Sequence, residues 1–246
     1  MTTRRRPDSI YERNLSVPGW GPEGQEKLAE ATVFVAGLGG LGCPASVYLA
    51  AAGVGNLIVC DADDVEQSNL NRQFLYRPTD IGQSKAVLAA DRLQKAHRQI
   101  EIVPAPLEID LENAEAMIGD ADIVLDCLDN LQTRLVLSRA CMRERIPLVH
   151  ATVAELTGYL SFFNPPDTPC LECFQTDKPA SVEPAIPGFT AGVMGSLQAM
   201  EAVKYLLGIG ELLAGRVLVF EGIPPRVDVV SFERDAECPA CGKLQR

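Results

Sequence analysis

The stretch Thr32-Val-Phe-Val-Ala-Gly37-Leu-Gly-Gly-Leu-Gly42 decides the fold. Five residues rich in β-formers run straight into the spacing G-x-G-x-x-G at Gly37, Gly39 and Gly42. An apolar helical stretch follows from Cys43 to Ala52, then a buried-strand run from Leu57 to Cys60 that ends at Asp61. Strand, glycine turn, helix, strand and acid make a βαβ unit. The glycines permit a tight turn and close approach of phosphate to the backbone, and the helix N-terminus offers unpaired amides. Asp61 lies 19 residues past Gly42, where a carboxylate can accept bonds from ribose hydroxyls. The motif points to a nucleotide without separating a nicotinamide dinucleotide from ATP. The same residues also read as a helix-packing turn beside a solvated acid.

The alternation continues outward. Ser84 to Ala96 has helical periodicity, Ile100 to Val103 reads as a strand and Leu111 to Ile118 as a helix. Ile123 to Asp126 is a buried strand, Leu131 to Arg143 a helix and Leu148 to Ala151 a strand. This predicts an α/β fold, a Rossmann-like doubly wound, mostly parallel sheet with helices on both faces. The pattern then changes: Gly158 to Asn164 and Val217 to Phe232 read as strands of an antiparallel C-terminal portion, with a helix from Ala191 to Leu207 between them. We expect residues 1–31 to form an arm and a helix near Glu23 to Ala31, residues 32–157 the nucleotide-binding region, and residues 158–246 a C-terminal portion of the same domain.

Composition excludes several classes. An apolar fraction of 47% and a charged fraction of 22% over 246 residues belong to a soluble globular chain with ample core, not to a disordered or collagen-like one. Lys and Arg number 22 against 33 Asp and Glu, a net charge of −11, which argues against general nucleic-acid binding. The longest apolar stretch, Ala45 to Cys60, is broken by Gly53, Gly55 and Asn56 and falls short of the ~20 residues of a membrane span. No apolar run follows the basic N-terminus, so no secretory signal is expected and the chain is expected to be cytoplasmic. In a reducing compartment, paired cysteines argue for metal rather than disulfides.

Cys170-Leu-Glu-Cys173 and Cys238-Pro-Ala-Cys241 are such pairs, with 64 residues between them. Two pairs close a tetrahedral set of four thiolates with no open position, so the expected zinc is structural. A redox pair is the competing reading, and Pro-rich flanks suit it poorly. Cys43, Cys60, Cys127 and Cys141 lie in apolar stretches and read as small buried residues.

The loop Asp61-Ala-Asp-Asp-Val-Glu-Gln-Ser-Asn-Leu-Asn-Arg-Gln73 gathers acids, amides and Arg72 at a strand's carboxyl end, with Lys85 opening the next helix. Two cations suit a triphosphate better than a dinucleotide; the alternative is a solvated loop with stray ion pairs. Asp129 and Asn130, after the strand Ile123 to Asp126, fit either a Mg2+ site against phosphates or a helix cap. Both histidines read as incidental, His97 solvated at a helix end and His150 a satisfied residue at a strand's rim.

Together these residues resemble the small bacterial MoeB/ThiF/HesA members of the ubiquitin-activating-enzyme superfamily. The likeness is greatest to the molybdopterin-synthase adenylyltransferase branch, which serves molybdenum cofactor biosynthesis. It covers nearly the whole chain: Tyr11-Glu-Arg13, Gly37 to Gly42, Asp61, Ser68-Asn-Leu-Asn-Arg-Gln73, Lys85, Cys127-Leu-Asp-Asn130, both cysteine pairs and Gly195-Ser-Leu-Gln-Ala-Met-Glu-Ala202. The resemblance implies a homodimer that binds ATP and Mg2+ and adenylates the C-terminal glycine of a ubiquitin-like sulfur-carrier protein ending in Gly-Gly, releasing pyrophosphate. It places Gly40 at the phosphates and Asp61 at the ribose. Asn69, Arg72 and Lys85 line the triphosphate, while Ser68, Leu70, Asn71 and Asn130 complete the nucleotide set. Asp129 serves Mg2+, and Arg13 reaches the ATP of the other subunit.

The implied chemistry needs no general base, because the attacking carboxylate is already ionised. Its obstacle is bringing an anion onto a polyanion: two unit charges at 4 Å repel by ~1 kcal/mol in water and ~4 kcal/mol at an effective dielectric near 20. Arg13, Arg72, Lys85 and Mg2+ at Asp129 would offset that repulsion. One departure stands out. Members of the family commonly carry a cysteine in the loop after the first zinc pair, and here Ser181 stands in its place. We therefore expect adenylation only, with sulfur supplied by another protein, the Lys178 to Gly188 loop clamping the carrier's tail, and no rhodanese-like extension. The readings left open are a thiamine-pathway, peptide-modifying or tRNA-base-activating role within the superfamily, a nicotinamide-dependent oxidoreductase, and a non-catalytic zinc-stabilised module. The oxidoreductase leaves Arg72, Lys85 and the cysteine pairs unexplained.

Overall fold

A computed structural model describes residues 10–174 and 185–243. Two helices, α1 (Glu12–Leu15) and α2 (Gly21–Glu30), lead into β1 (Thr32–Ala36), α3 (Gly42–Ala52) and β2 (Asn56–Cys60). Then come α4 (Lys85–Ala96), β3 (Glu101–Ala105), α5 (Ala114–Ile118), β4 (Ile123–Asp126), α6 (Leu131–Glu144) and β5 (Leu148–Ala154). The C-terminal part is β6 (Thr157–Phe163), α7 (Leu171–Phe174), α8 (Gly188–Leu207), β7 (Arg216–Gly222) and β8 (Pro225–Ser231).

All eight strands form one sheet in the order β3-β2-β1-β4-β5-β6-β7-β8. The first five are parallel and the last three antiparallel. β1 is buried on both faces, which is why it reads as an unbroken apolar run. Val33 and Val35 enter one core with residues of α2, α3, α4 and α8; Phe34 enters the other with residues of α5 and α6. Helices thus cover both faces of the parallel portion.

The register sets the site. Ala36 pairs with Cys60 on one side and Asp126 on the other, and Asp126 pairs with His150. The loops after β2, β1 and β4 therefore leave one rim. The chain order reverses between β1 and β4, the crevice where open α/β sheets bind ligands.

Element boundaries differ from the sequence reading for local reasons. The helix expected from Leu111 begins at Ala114, because Asp110 Oδ1 accepts from the Glu112 and Asn113 amides and holds a turn there. The apolar run Val217 to Phe232 is a hairpin split after Gly222. β5 runs three residues past Ala151 because β6 pairs with it along its whole length. Residues 178–184 of the expected clamp loop, Ser181 among them, lie outside the described residues, as does the start of the N-terminal arm.

Candidate functional site

The glycine turn is fastened from several sides. The Gly37 amide donates to the Cys60 carbonyl at 2.7 Å, and Gly37 has φ +90°, a conformation open to glycine. Asp61 Oδ2 accepts from the Leu38 amide at 2.7 Å and its Oδ1 from the Asp63 amide at 2.9 Å. Burial raises the Asp61 carboxyl above its ordinary value, with the Lys85 charge and these amides opposing that shift. The buried Tyr76 hydroxyl donates to the Leu38 carbonyl at 3.0 Å, and the Cys43 thiol to the same oxygen at 3.2 Å. The turn is thus held by the protein's own hydrogen bonds.

The polar loop folds against this turn. Its 3-10 turn, Gln67–Asn69, is closed by the buried Asn69, whose Oδ1 accepts from the Glu66 amide at 3.0 Å. The Asn69 carbonyl accepts from the amides of Arg72 and Gln73. Arg72 Nη1 donates to the Ser68 carbonyl at 2.9 Å and to Asn71 Oδ1 at 3.0 Å. The Arg72 stem borders the glycine turn: a side-chain carbon at Gly40 would stand 3.5 Å from Arg72 Cδ. The start of α8 closes the same corner, where a side-chain carbon on Gly188 would meet Arg72 Cα at 3.2 Å. Leu70 packs half-buried on the core below.

Lys85 opens α4 with only 5% of its surface exposed. Its amide donates to the Asp63 carbonyl at 3.0 Å and its Nζ contacts Asp63 Oδ2 at 2.9 Å. On the other side of the turn, a side-chain carbon on Gly37 would stand 3.3 Å from the Leu128 amide nitrogen, one residue before the exposed Asp129. Asn130 is a helix cap, its Oδ1 accepting from the Thr133 amide at 2.9 Å. Gly40, Asp61, Ser68 to Arg72, Lys85 and Asp129 thus share one rim.

Arg13 does not join them. Two residues earlier, Tyr11 accepts from Gln99 Nε2 at 2.6 Å and lies against Gly53, at the far end of α3 from the glycine turn. That helix has 11 residues, a length of ~16 Å.

Beneath the Asp129 loop lies a polar cluster that sequence reading missed. Asp126, fully buried, places Oδ2 at 2.6 Å from Nδ1 of the fully buried His150. Burial lowers the His150 pKa despite the Asp126 charge, so the ring is neutral and His150 is a core residue, not a rim one. Gln198 of α8 donates to the carbonyls of Asp126 and Val149 and accepts from the Cys127 thiol. The available signal was an aspartate ending an otherwise apolar strand, which demands buried partners. Gln73 was also missed; its side chain is buried beside Gly39. His97 is half-buried rather than solvated, with its Nδ1 enclosed.

Cys43, Cys60, Cys127 and Cys141 are buried, as their apolar settings imply. Burial pushes the Cys43 and Cys60 thiols up to about 12 and Cys127 well above its ordinary value, so they are protonated at neutral pH. The other four converge. Sγ separations are 3.9 Å for Cys170–Cys173, 3.6 Å for Cys170–Cys238 and 3.4 Å for Cys173–Cys241. All four lie within 4.8 Å of one another. Four sulfurs at 2.3 Å from a central metal stand about 3.8 Å apart, so the set could hold a tetrahedral ion.

The sequence pattern of the ThiF family matches residues 11–240. The chain belongs to the ThiF family. Among related ThiF proteins, the molybdopterin-synthase adenylyltransferase of Escherichia coli is 37% identical over 238 residues, covering 95% of this chain and 96% of that one. The sulfur carrier protein adenylyltransferase of Thermus thermophilus is 37% identical over 243 residues, 94% of this chain and 90% of that one. The adenylyltransferase and sulfurtransferase MOCS3-1 of Zea mays is 38% identical, and the match spans 95% of this chain but only 51% of that longer protein. The chain thus spans about half the length of that plant relative. In fold it matches E. coli MccB, crystallised with AMPCPP and MccA, with a TM-score of 0.88 at 24% identity over 97% of this chain and 75% of that one.

Proposed function

We propose that this ThiF protein is an ATP-dependent adenylyltransferase that activates the C-terminal glycine of a ubiquitin-like sulfur-carrier protein as an acyl-adenylate. The observation that carries the reading is the shared rim, where Arg72 borders Gly40 and Lys85 stands beside Asp61 and Asp63. Two cations there suit a triphosphate better than a dinucleotide. The names of the bacterial relatives support the substrate class.

The roles follow from position. The backbone at Gly40 accepts the phosphates closely, and Asp61 stands where a ribose is held. Arg72 and Lys85 offset the charge of the triphosphate, so that the carrier's carboxylate can approach the α-phosphorus and pyrophosphate can leave. Asp129 would hold Mg2+, which would supply positive charge to offset part of the triphosphate's. One exposed carboxylate suits that ion, which takes most of its remaining ligands from phosphate and water. The test is ATP–pyrophosphate exchange that depends on a carrier ending in Gly-Gly, with AMP found on the carrier by mass spectrometry. Hydride transfer with a nicotinamide and no need for ATP would replace this reading.

The assembly we propose is a homodimer. On α8, Phe189, Val193 and Met200 form an exposed apolar line, 69%, 39% and 49% accessible. An apolar line of this kind marks an interaction face. Arg13 follows Tyr11, which lies at the end of α3 away from the glycine turn, and that placement suits action on the partner's ATP. Mixing inactive Arg13→Ala and Lys85→Ala proteins and allowing subunits to exchange should therefore restore about a quarter of the parent's exchange activity, from the one intact site of each mixed dimer. No recovery would place Arg13 outside the partner's site.

The four-cysteine cluster is proposed as a structural zinc site that fastens the C-terminal tail to α7. Arg139 of α6 pairs with Glu172 at 2.8 and 2.9 Å and joins that corner to the body. Removing the zinc with a chelator should cost several kcal/mol, a fall in Tm on the order of 10 °C reversed by added zinc. Scanning calorimetry would measure it, and an unchanged melt would refute the site.

A further inference from the structure

The exposed Asp129 carboxylate stands on a short loop whose preceding peptide is gripped on both sides. The Leu128 amide donates to Asp126 Oδ1 at 3.1 Å. The Leu128 carbonyl accepts from Arg134 Nε at 3.1 Å and also from Nη2 of the same guanidinium. Arg134 stands on α6, one turn past the Asn130 cap, and is 7% exposed. Its Nη1 donates to Thr152 Oγ1 at 3.2 Å and its Nη2 approaches the Ala151 carbonyl at 3.5 Å, both on β5. Its Nε lies 3.7 Å from Asp126 Oδ1, and Asp126 is held in turn by His150. A planar fork that spans two elements and a loop sets distance and angle together, which a lysine cannot do.

We propose that Arg134, braced by Asp126, is a positioning residue that aims the Asp129 carboxylate at the rim beside Gly37. The inference rests on the adenylation reading for what that carboxylate then holds, and on the bonds above for how it is held. The guanidinium is buried behind the loop and does not itself meet the nucleotide. Its charge is answered by Asp126 and its donors by backbone and Thr152. An arginine spent in this way on one loop carbonyl makes sense where the next side chain must not wander.

The test is Arg134→Lys, which keeps the charge and loses the fork. Two readouts are needed. In hydrogen exchange, the Leu128 amide should exchange roughly tenfold faster or more, while Val124 and Leu125 in β4 keep their protection. In nucleotide binding, the Mg2+ concentration that half-saturates its enhancement of ATP affinity should rise roughly ten- to a hundredfold, with affinity for metal-free ATP unchanged. In an Asp129→Ala background the same substitution should change neither ATP affinity nor exchange rate. A Leu128 amide as protected as in the parent, an equal loss of metal-free ATP binding, or a penalty that persists in full without Asp129 would each overturn the proposal. An Asp129→Ala protein whose Mg2+ dependence matches the parent would instead sink the assigned site, and Leu128 protection would still decide the clamp. If Arg134→Lys does not fold, Thr152→Val removes one brace and should shift both readouts the same way by a smaller factor; no shift would refute the proposal.

Discussion

Lys85→Ala should reduce carrier-dependent ATP–pyrophosphate exchange by on the order of a thousandfold, equivalent to about 4 kcal/mol of transition-state stabilisation. The size follows from where the ammonium sits. It is 5% exposed, so solvent screens it poorly, and two carboxylates, Asp61 and Asp63, stand beside it. With the lysine gone, both acids face an incoming polyanion with Arg72 as the nearest remaining cation of the proposed set. One unit charge at 4 Å is worth ~4 kcal/mol at an effective dielectric near 20, and the loss falls mainly on the step in which an anion attacks. The Lys85–Asp63 pair itself has one partner 71% exposed and contributes at most about 1 kcal/mol to stability. Exchange within tenfold of the parent, in a protein that melts at the parent's temperature, would show that Lys85 is not part of the charge-offsetting set.

How much of this was legible in the sequence depends on the range of the contacts. β1 could be read from five residues, because burial on both faces makes a short apolar run and the glycines that follow are local. The cysteine pairs were legible for the same reason: each supplies two thiols from one turn, although the meeting of the two pairs needs the fold. Asp129 and Asn130 were both open to a metal or a cap reading. The structure shows the cap at Asn130, whose oxygen accepts from Thr133, and leaves Asp129 exposed. Asp126 and His150 were not legible as a pair. They are 24 residues apart, and nothing short of the β4–β5 register brings them opposite each other. Arg134 suffered likewise: on a helical wheel it is one more charge, and its burial follows from Thr152 and the Leu128 carbonyl lying underneath. Contacts set by one turn of chain could be read; those set by which strand lies beside which could not.

The glycine turn supplies the second large effect, in stability rather than rate. A methyl group at Gly42 would overlap the Gly37 carbonyl oxygen, stand 2.8 Å from its carbon and touch Cys127 Cβ at 3.5 Å. Neither backbone partner has room to retreat. Gly37 is tied through its amide to Cys60, and its own Cα faces the Cys127 carbonyl. Relief would require α3 to back away from the sheet, yet α3 is packed between β1 and α8, with Cys43, Ala45, Leu49 and Ala50 fully buried. Gly42→Ala should therefore destabilise the protein by more than ~4 kcal/mol, the range reserved for core overpacking without relief. Gly39→Ala is the control. The nearest atom to its added carbon is Gln73 Nε2 at 3.5 Å, an ordinary contact with a movable side chain. That variant should stay within about 1 kcal/mol of the parent, since a lost glycine also stiffens the unfolded chain. Urea unfolding of the three proteins would measure both values. If Gly42→Ala unfolded at the same denaturant concentration as Gly39→Ala, the turn would be looser than this packing allows. The close phosphate approach argued for Gly40 would then lose its footing.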